Sequence, residues 1–162
     1  MIILCPSPAR DYAKRRWDKW PQLADAIVEK YGAVEFVGTT DQWDYVSRII
    51  CQMKYAYAVR NRCGEFEMLD FMKFIQQAKL VVTVNTFTMH AAMALEVPCV
   101  AIIGGTPASI VIAEGQKNIA YVEDPALADW DDGRYGEPRI NEITVEQVME
   151  KIDGIYNHPR EE

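Results

Sequence analysis

Apolar residues in this chain gather in short unbroken runs separated by stretches with helical spacing. The runs "IILC" (2–5), "AVEFVG" (33–38), "YAYAV" (55–59), "LVVTV" (80–84), "PCVAII" (98–103) and "NIAYVE" (118–123) read as six strands. Most are apolar throughout rather than alternating, as expected of strands covered on both faces. Between the first two, Leu23, Ala24, Ile27, Val28 and Tyr31 fall on one side of a helix. Pro21 suits its first turn and Gly32 its C-terminal stop. Asp41 is placed to cap a second helix, over about 42–53. A third is predicted over 68–78, with Leu69, Met72 and Ile75 on one side, and a fourth over 86–95, ended by Pro98. The last runs over 144–156, with Thr144 and Gln147 at capping-box spacing.

Strand and helix therefore alternate along the chain, and the crossovers are long enough for right-handed β-α-β units. The pattern predicts an α/β fold: one domain over 1–162, with a doubly wound, mostly parallel, six-stranded Rossmann-like sheet and helices on both faces. Residues 124–142 form the one long stretch without a periodic pattern, acidic and aromatic, in the manner of a lid, a partner-contact loop or a plain surface loop.

Composition narrows the function classes. Of 162 residues, 49% are hydrophobic and 25% charged, enough for a substantial core. A formal net charge of −7 argues against general nucleic-acid binding, which needs a basic face. Arg10, Lys14, Arg15, Arg16 and Lys19 nevertheless cluster within ten residues. A local basic cluster in an acidic protein suits a small anion better than a long polyanion. The four cysteines form no C-x-x-C pair, and no metal-ligand spacing is present. The N-terminal apolar run reaches Pro6 too early for a signal peptide, and no run approaches a membrane span. A reduced, cytoplasmic protein is the expectation.

In an open parallel sheet, ligands bind beyond the carboxyl ends of the strands. That rule selects "PSPARDYAKRRW", "GTTDQ", "RNRCGEF", "NTFTMH" and "GGTPAS", which together offer glycines, hydroxyls and cations. Neither a G-x-G-x-x-G nor a P-loop motif is present. The turn after the fourth strand can still hold an anion, because the free N–H groups and dipole of the helix starting at Thr86 would face it. Asn85 is alternatively a plain helix cap. His90 lies one turn into that helix, where a lone histidine is more often a packed, hydrogen-bonded residue than a catalyst. Asp129 and Asp131 form a D-x-D, a pattern that can hold a cation and that is also common by chance. No Ser-His-Asp arrangement or paired carboxylate site can be read from the sequence.

The run "LVVTVNTFTMHAAMALEVPCVAIIGGTP" resembles the strand-turn-helix-strand of the heptosyltransferase-type glycosyltransferases, glycosyltransferase family 9, which have the GT-B fold. Their pattern is an apolar strand, D-[ST]-G-x-x-H-x-A-x-A-L, a short gap, Pro, a second apolar strand and F-G-x-T. Thr86, His90, Ala92, Ala94, Leu95, Pro98, Gly104 and Thr106 match it. "KRRWDKWPQLADAIVEKYG", "VEFVGTTD", "MLDFMKFIQQAKLVV" and "ITVEQVMEKI" are similar to further family segments, so the likeness is weakest between Ala108 and Glu142.

The resemblance implies one half of a GT-B fold: the C-terminal domain, which binds the nucleotide-diphosphate sugar. The acceptor domain and its catalytic base are not expected within these residues, so the catalytic residues are unknown. Carried over by position, Lys14, Arg15 or Arg16 would pair with the diphosphate and Ser7 would sit near it. Thr39, Thr40 and Asp41 would lie by the ribose, Phe66 by the base, Thr86 on phosphate and His90 near the sugar-phosphate. Asn85 and Phe87 depart from the family's Asp and Gly. Asn85 loses a charge, and the Phe87 ring would either block the approach of phosphate or instead offer a stacking surface. No metal or other cofactor is implied. The expected partners are a nucleotide or nucleotide sugar, with a separate acceptor-binding subunit or a second copy of the chain. A stand-alone, non-catalytic nucleotide binder and a degenerate interaction module are the alternative expectations.

Overall fold

A computed structural model describes residues 1–6, 13–134 and 136–157. Its six strands are β1 (Ile2–Cys5), β2 (Val34–Phe36), β3 (Val59–Asn61), β4 (Leu80–Val84), β5 (Cys99–Ile103) and β6 (Ile119–Glu123). They form one sheet in the order β3-β2-β1-β4-β5-β6. Every neighbouring pair is parallel. The strand order reverses between β1 and β4, so the carboxyl ends of these two strands mark the switch point where such sheets open a crevice.

Strand residues alternate between two buried layers. Leu4, Val82 and Val100 pack with Leu23, Val46 and Val148, which come from α1 (Trp20–Tyr31), α2 (Trp43–Ile50) and α6 (Val145–Tyr156). Ile3, Val81 and Ala101 pack on the other face with Ile75, Met89 and Ala108, from α3 (Met68–Gln76), α4 (Phe87–Ala94) and α5 (Ala108–Val111). Burial on both faces is why these strands read as continuous apolar runs; each such side chain contributes roughly 1.5–3 kcal/mol.

Helix ends follow the expected chemistry in most places. Gly32 ends α1 at a φ of 89°, a left-handed backbone that favours glycine. Thr144 caps α6: its hydroxyl accepts from the Gln147 N–H at 3.2 Å, and the Gln147 side chain accepts from the Thr144 N–H at 2.8 Å.

Several expectations are corrected. The third strand lies at Val59–Asn61, because Ala56–Ala58 form a 3-10 turn. The Asp25 carboxylate accepts from the N–H groups of Lys54 and Tyr55 at 2.9 Å, which fixes that segment as a turn and leaves Tyr57 86% exposed. Asp41 is not a helix cap: it lies inside a 3-10 turn over Thr40–Gln42 that Thr39 caps, and Gln42 holds the cap position of α2. Leu69 does not face the core but stands 75% exposed, while Ile75 is buried. The four-residue α5 is additional. The described residues of 124–142 are held at both ends. The buried Asp124 carboxylate accepts from the N–H groups of Ala126 and Arg139, and Leu127, Ile140 and Ile143 enter the core.

Candidate functional site

The site grows from the end of β4. Thr86 is the cap residue of α4, with extended backbone (φ −144°, ψ 179°), so the cap falls one residue later than the expected Asn85. Its side chain does not cap the helix; the hydroxyl oxygen lies 3.3 Å from Thr83 Oγ1 instead. The Thr86 carbonyl oxygen accepts from the N–H groups of Met89 and His90 at 3.1 and 3.4 Å. The N–H groups of Phe87 and Thr88, the first two of the helix, have no acceptor among the described residues. A helix leaves these first donors for a cap, water or ligand to satisfy.

Asn85 is 3% exposed, yet its Nδ2 has no hydrogen-bond partner among the described residues. A buried amide donor without an acceptor is costly, by about 1–3 kcal/mol. Its main-chain carbonyl oxygen accepts from Arg15 Nη1 at 2.9 Å. Arg15 is held there from several sides. Trp17, two residues on, is buried against Trp20 edge-to-face and donates from Nε1 to the Ile143 carbonyl oxygen at 2.9 Å. At the end of β5, a Cβ on Gly104 would overlap the Lys14 carbonyl oxygen, and one on Gly105 would meet the Arg15 side chain. These two glycines let the basic segment lie against the sheet.

On the other side of Thr86 a cleft of about 300 Å³ opens among the ends of β1, β2 and β3 and the start of α4. One wall is polar: Thr39, Thr40 and Gln42, with Gly38 and Gly64. The Thr39 hydroxyl donates to Asp41 at 2.6 Å, and its N–H donates to Gln42 Oε1 at 3.0 Å. Gly64 has a φ of 77°, and a Cβ there would come within 2.5 Å of Thr40 Oγ1, so only glycine brings the β3 loop this close. The opposite wall is apolar: Phe66, Met68, Phe71 and Phe87. The Phe87 and Phe71 ring centroids are 6.4 Å apart at 30°, and Phe66 stacks on Phe74 at 4.5 Å. The Arg62 guanidinium carbon lies 4.5 Å from the Phe66 centroid, and its nitrogens are engaged by Glu35 and Glu65 at 2.9 and 2.6 Å. Among the described residues Glu67 is the charged one on the cleft lining.

Of the residues singled out from sequence, Thr39, Thr40, Phe66, Thr86 and Phe87 line this one cleft. Asp41 stands behind Thr39, while Asn85, Lys14, Arg15 and Gly104 form the neighbouring basic side of Thr86. Arg16 is exposed, and its charge acts on Tyr45 of α2, away from the cleft. His90 is exposed on α4, and Thr106 is half-buried before α5; neither lines the cleft. Ser7 lies outside the described residues, as does Arg10. Phe71, Met68 and Gln42 were not anticipated as lining. Phe71 lies off the Leu69–Met72–Ile75 side of its helix, and ring contacts with Phe66 and Phe87 bring it to the cleft.

Burial pushes the Cys63 thiol up to about 12 and shifts the Cys99 thiol upward as well. Cys5 accepts a hydrogen bond from Thr88 Oγ1 at 3.2 Å. Among the described residues no group of three His, Cys, Asp or Glu side chains is placed to hold a metal ion, Asp129 and Asp131 included. No helix of the described residues is long and apolar enough to cross a membrane.

Residues 1–124 match the family model described as glycosyltransferase family 9 (heptosyltransferase). The chain belongs to glycosyltransferase family 9. Among solved structures it is similar to the E. coli ADP-heptose lipopolysaccharide heptosyltransferase II, at 20% identity and a TM-score of 0.76 over 96% of this chain and 46% of that one. A family 9 glycosyltransferase from Veillonella parvula matches at 18% identity and a TM-score of 0.78, again over 96% of this chain and 46% of that one. A structure of an E. coli heptosyltransferase with ADP matches at 18% identity and a TM-score of 0.72, over 95% of this chain and 43% of that one. At these identities the likeness shows a shared fold. The chain spans a little under half the length of these family 9 structures. No curated protein matches.

Proposed function

We propose that this chain is the donor-binding half of a family 9 glycosyltransferase and holds a nucleotide-diphosphate sugar across the switch point of its sheet. The observation that carries the reading is the uncapped start of α4, where the N–H groups of Phe87 and Thr88 have no acceptor among the described residues and follow Asn85, whose buried amide has none either. Donors collected at a helix N-terminus suit phosphate oxygens. Arg15, anchored on Asn85, brings a cation to the same strand end. The cleft beside Thr86 is sized for a nucleoside, with hydroxyls on one wall and rings on the other. Membership of family 9, and neighbours solved with ADP, agree with a nucleotide ligand.

Sugar transfer further requires a base that takes the acceptor hydroxyl's proton and a second wall that closes the cleft. We assign both to the other half of a family 9 enzyme. The exposed apolar side chains of Met68 and Phe87 on the cleft lining give such a half a surface to close upon. These residues would thus bind the donor by themselves and take part in sugar transfer once an acceptor-binding half completes the cleft.

Isothermal titration with ADP, GDP, UDP and their sugar conjugates tests the binding step. At least one should bind with a dissociation constant in the micromolar range. Failure of all of them to bind below millimolar concentrations would sink the proposal.

A further inference from the structure

The donors at the start of α4 and the cleft beside it differ in character. The N–H groups and Arg15 form a positive pole. Among the described residues the cleft is lined by no Lys, Arg or His, and the one charged side chain on that lining, Glu67, is an acid. A phosphate is therefore favoured at the pole and disfavoured inside the cleft. What remains for the cleft is a neutral group with polar edges and flat faces, since hydroxyls stand on one wall and phenyl rings on the other.

Phe87 is the hinge between the two parts. Its N–H belongs to the positive pole, while its side chain lines the cleft and leans toward α3, with its ring 6.4 Å from that of Phe71. The ring is 50% exposed, so one large apolar surface stands open to the cleft and solvent. Folding alone gives little reason for a half-exposed phenylalanine beside a polar strand end, whereas base-aromatic stacking uses such a surface directly.

Resting on the nucleotide reading above, the geometry points to Phe87 as a specificity-determining residue: with Phe71 it forms a platform on which the ligand's nucleobase stacks while the phosphates reach past it to the α4 N–H groups. The ring does not close the anion pole; it holds the base that accompanies the anion. The platform selects nucleotides over isolated phosphates and over phosphorylated sugars that lack a base.

The test measures affinity for a nucleoside diphosphate and for pyrophosphate, by titration calorimetry, in the wild type and in Phe87→Leu and Phe71→Leu. Leucine keeps apolar bulk and removes the ring. Since Phe87 is half-exposed, the Phe87 variant should fold as the wild type does, which circular dichroism checks. Loss of the stacking partner should weaken nucleoside diphosphate binding by about tenfold in Phe87→Leu and by a smaller factor in Phe71→Leu, and leave pyrophosphate affinity within twofold. Unchanged or tighter nucleoside diphosphate binding in Phe87→Leu overturns the platform and leaves the nucleotide reading standing. So does an equal loss for pyrophosphate, which would make Phe87 a part of the anion pole alone. A wild type that binds no nucleotide overturns both.

Discussion

Arg15 and Asn85 are 70 residues apart in sequence, and the Arg15 guanidinium donates to the Asn85 main-chain carbonyl oxygen at 2.9 Å. This contact fastens the basic segment after β1 to the end of β4, at the reversal of strand order. It sets a cation beside the first turn of α4. Arg15→Gln removes the charge and shortens the reach. The expected outcome is a loss of about 1–2 kcal/mol in urea denaturation, since a charged donor to a buried carbonyl contributes about that much. Nucleoside diphosphate affinity should fall about tenfold, measured by calorimetry.

Asn85 separates a structural role from a ligand role. Its Nδ2 is buried with no partner among the described residues, so the folded chain gains little from the amide. Asn85→Leu replaces it with an apolar side chain of similar volume. Unfolding free energy should stay within about 1 kcal/mol of wild type or rise. Nucleotide affinity should drop severalfold or more. A large stability loss with unchanged binding would assign the amide to folding alone.

Gly104 tests how closely the basic segment must lie on the sheet. A Cβ there overlaps the Lys14 carbonyl oxygen, a main-chain atom that can yield only if the segment moves. Gly104→Ala should cost about 1–3 kcal/mol in thermal or urea unfolding. Because Arg15 moves with Lys14, ligand affinity should fall in the same variant. Unchanged stability and affinity would show that the segment tolerates displacement.

Stability should depend on pH through the contact of α1 with α6. Asp153 accepts from Lys30 Nζ at 2.7 Å and from the Tyr31 hydroxyl. The Lys30 hydrogen bond, with that of Tyr31, holds the Asp153 carboxyl below its ordinary value. A carboxyl depressed in the folded state contributes stability that is present above its unfolded value, about 3.9, and lost as pH falls through the lower folded value. Tyr31 moves the opposite way: burial first, then Asp153, pushes its phenol up to about 12. That contribution is complete below an unfolded value of about 10 and disappears as pH rises from there toward the folded value. Asp153→Asn should flatten the acid limb of the stability profile and weaken the alkaline one. Both groups reach solvent, so the effect on each limb should be modest.

The sheet was legible in the sequence because both residue parities of β4 and β5 are buried, which makes Leu80–Val84 and Cys99–Ile103 solid apolar runs. β3 was not, because an edge strand buries little. Its Arg60 is exposed, and the false alternation of "YAYAV" comes from a turn fixed by Asp25, 29 and 30 residues away in sequence. Thr86 and Phe87 could be placed at the cleft because a strand-to-helix turn at a sheet's carboxyl edge is a local pattern. Phe71 could not, since what makes it part of the site is its approach to Phe87 from a different helix. The choice among Lys14, Arg15 and Arg16 also needed three dimensions. Arg15 lies by Gly105 and donates to the Asn85 carbonyl oxygen, 70 residues away, while the charge of Arg16 is felt at Tyr45.

The central claim is that phosphate oxygens meet the open N–H groups at the start of α4. The most direct measurement is an amide ¹H–¹⁵N NMR titration with a nucleoside diphosphate. The account predicts the largest shifts at the Phe87 and Thr88 amides and the Asn85 side-chain NH₂, with smaller ones at Thr39 and Thr40. Saturating ligand that leaves the Phe87 and Thr88 amides unmoved, or shifts a different edge of the sheet instead, would contradict it.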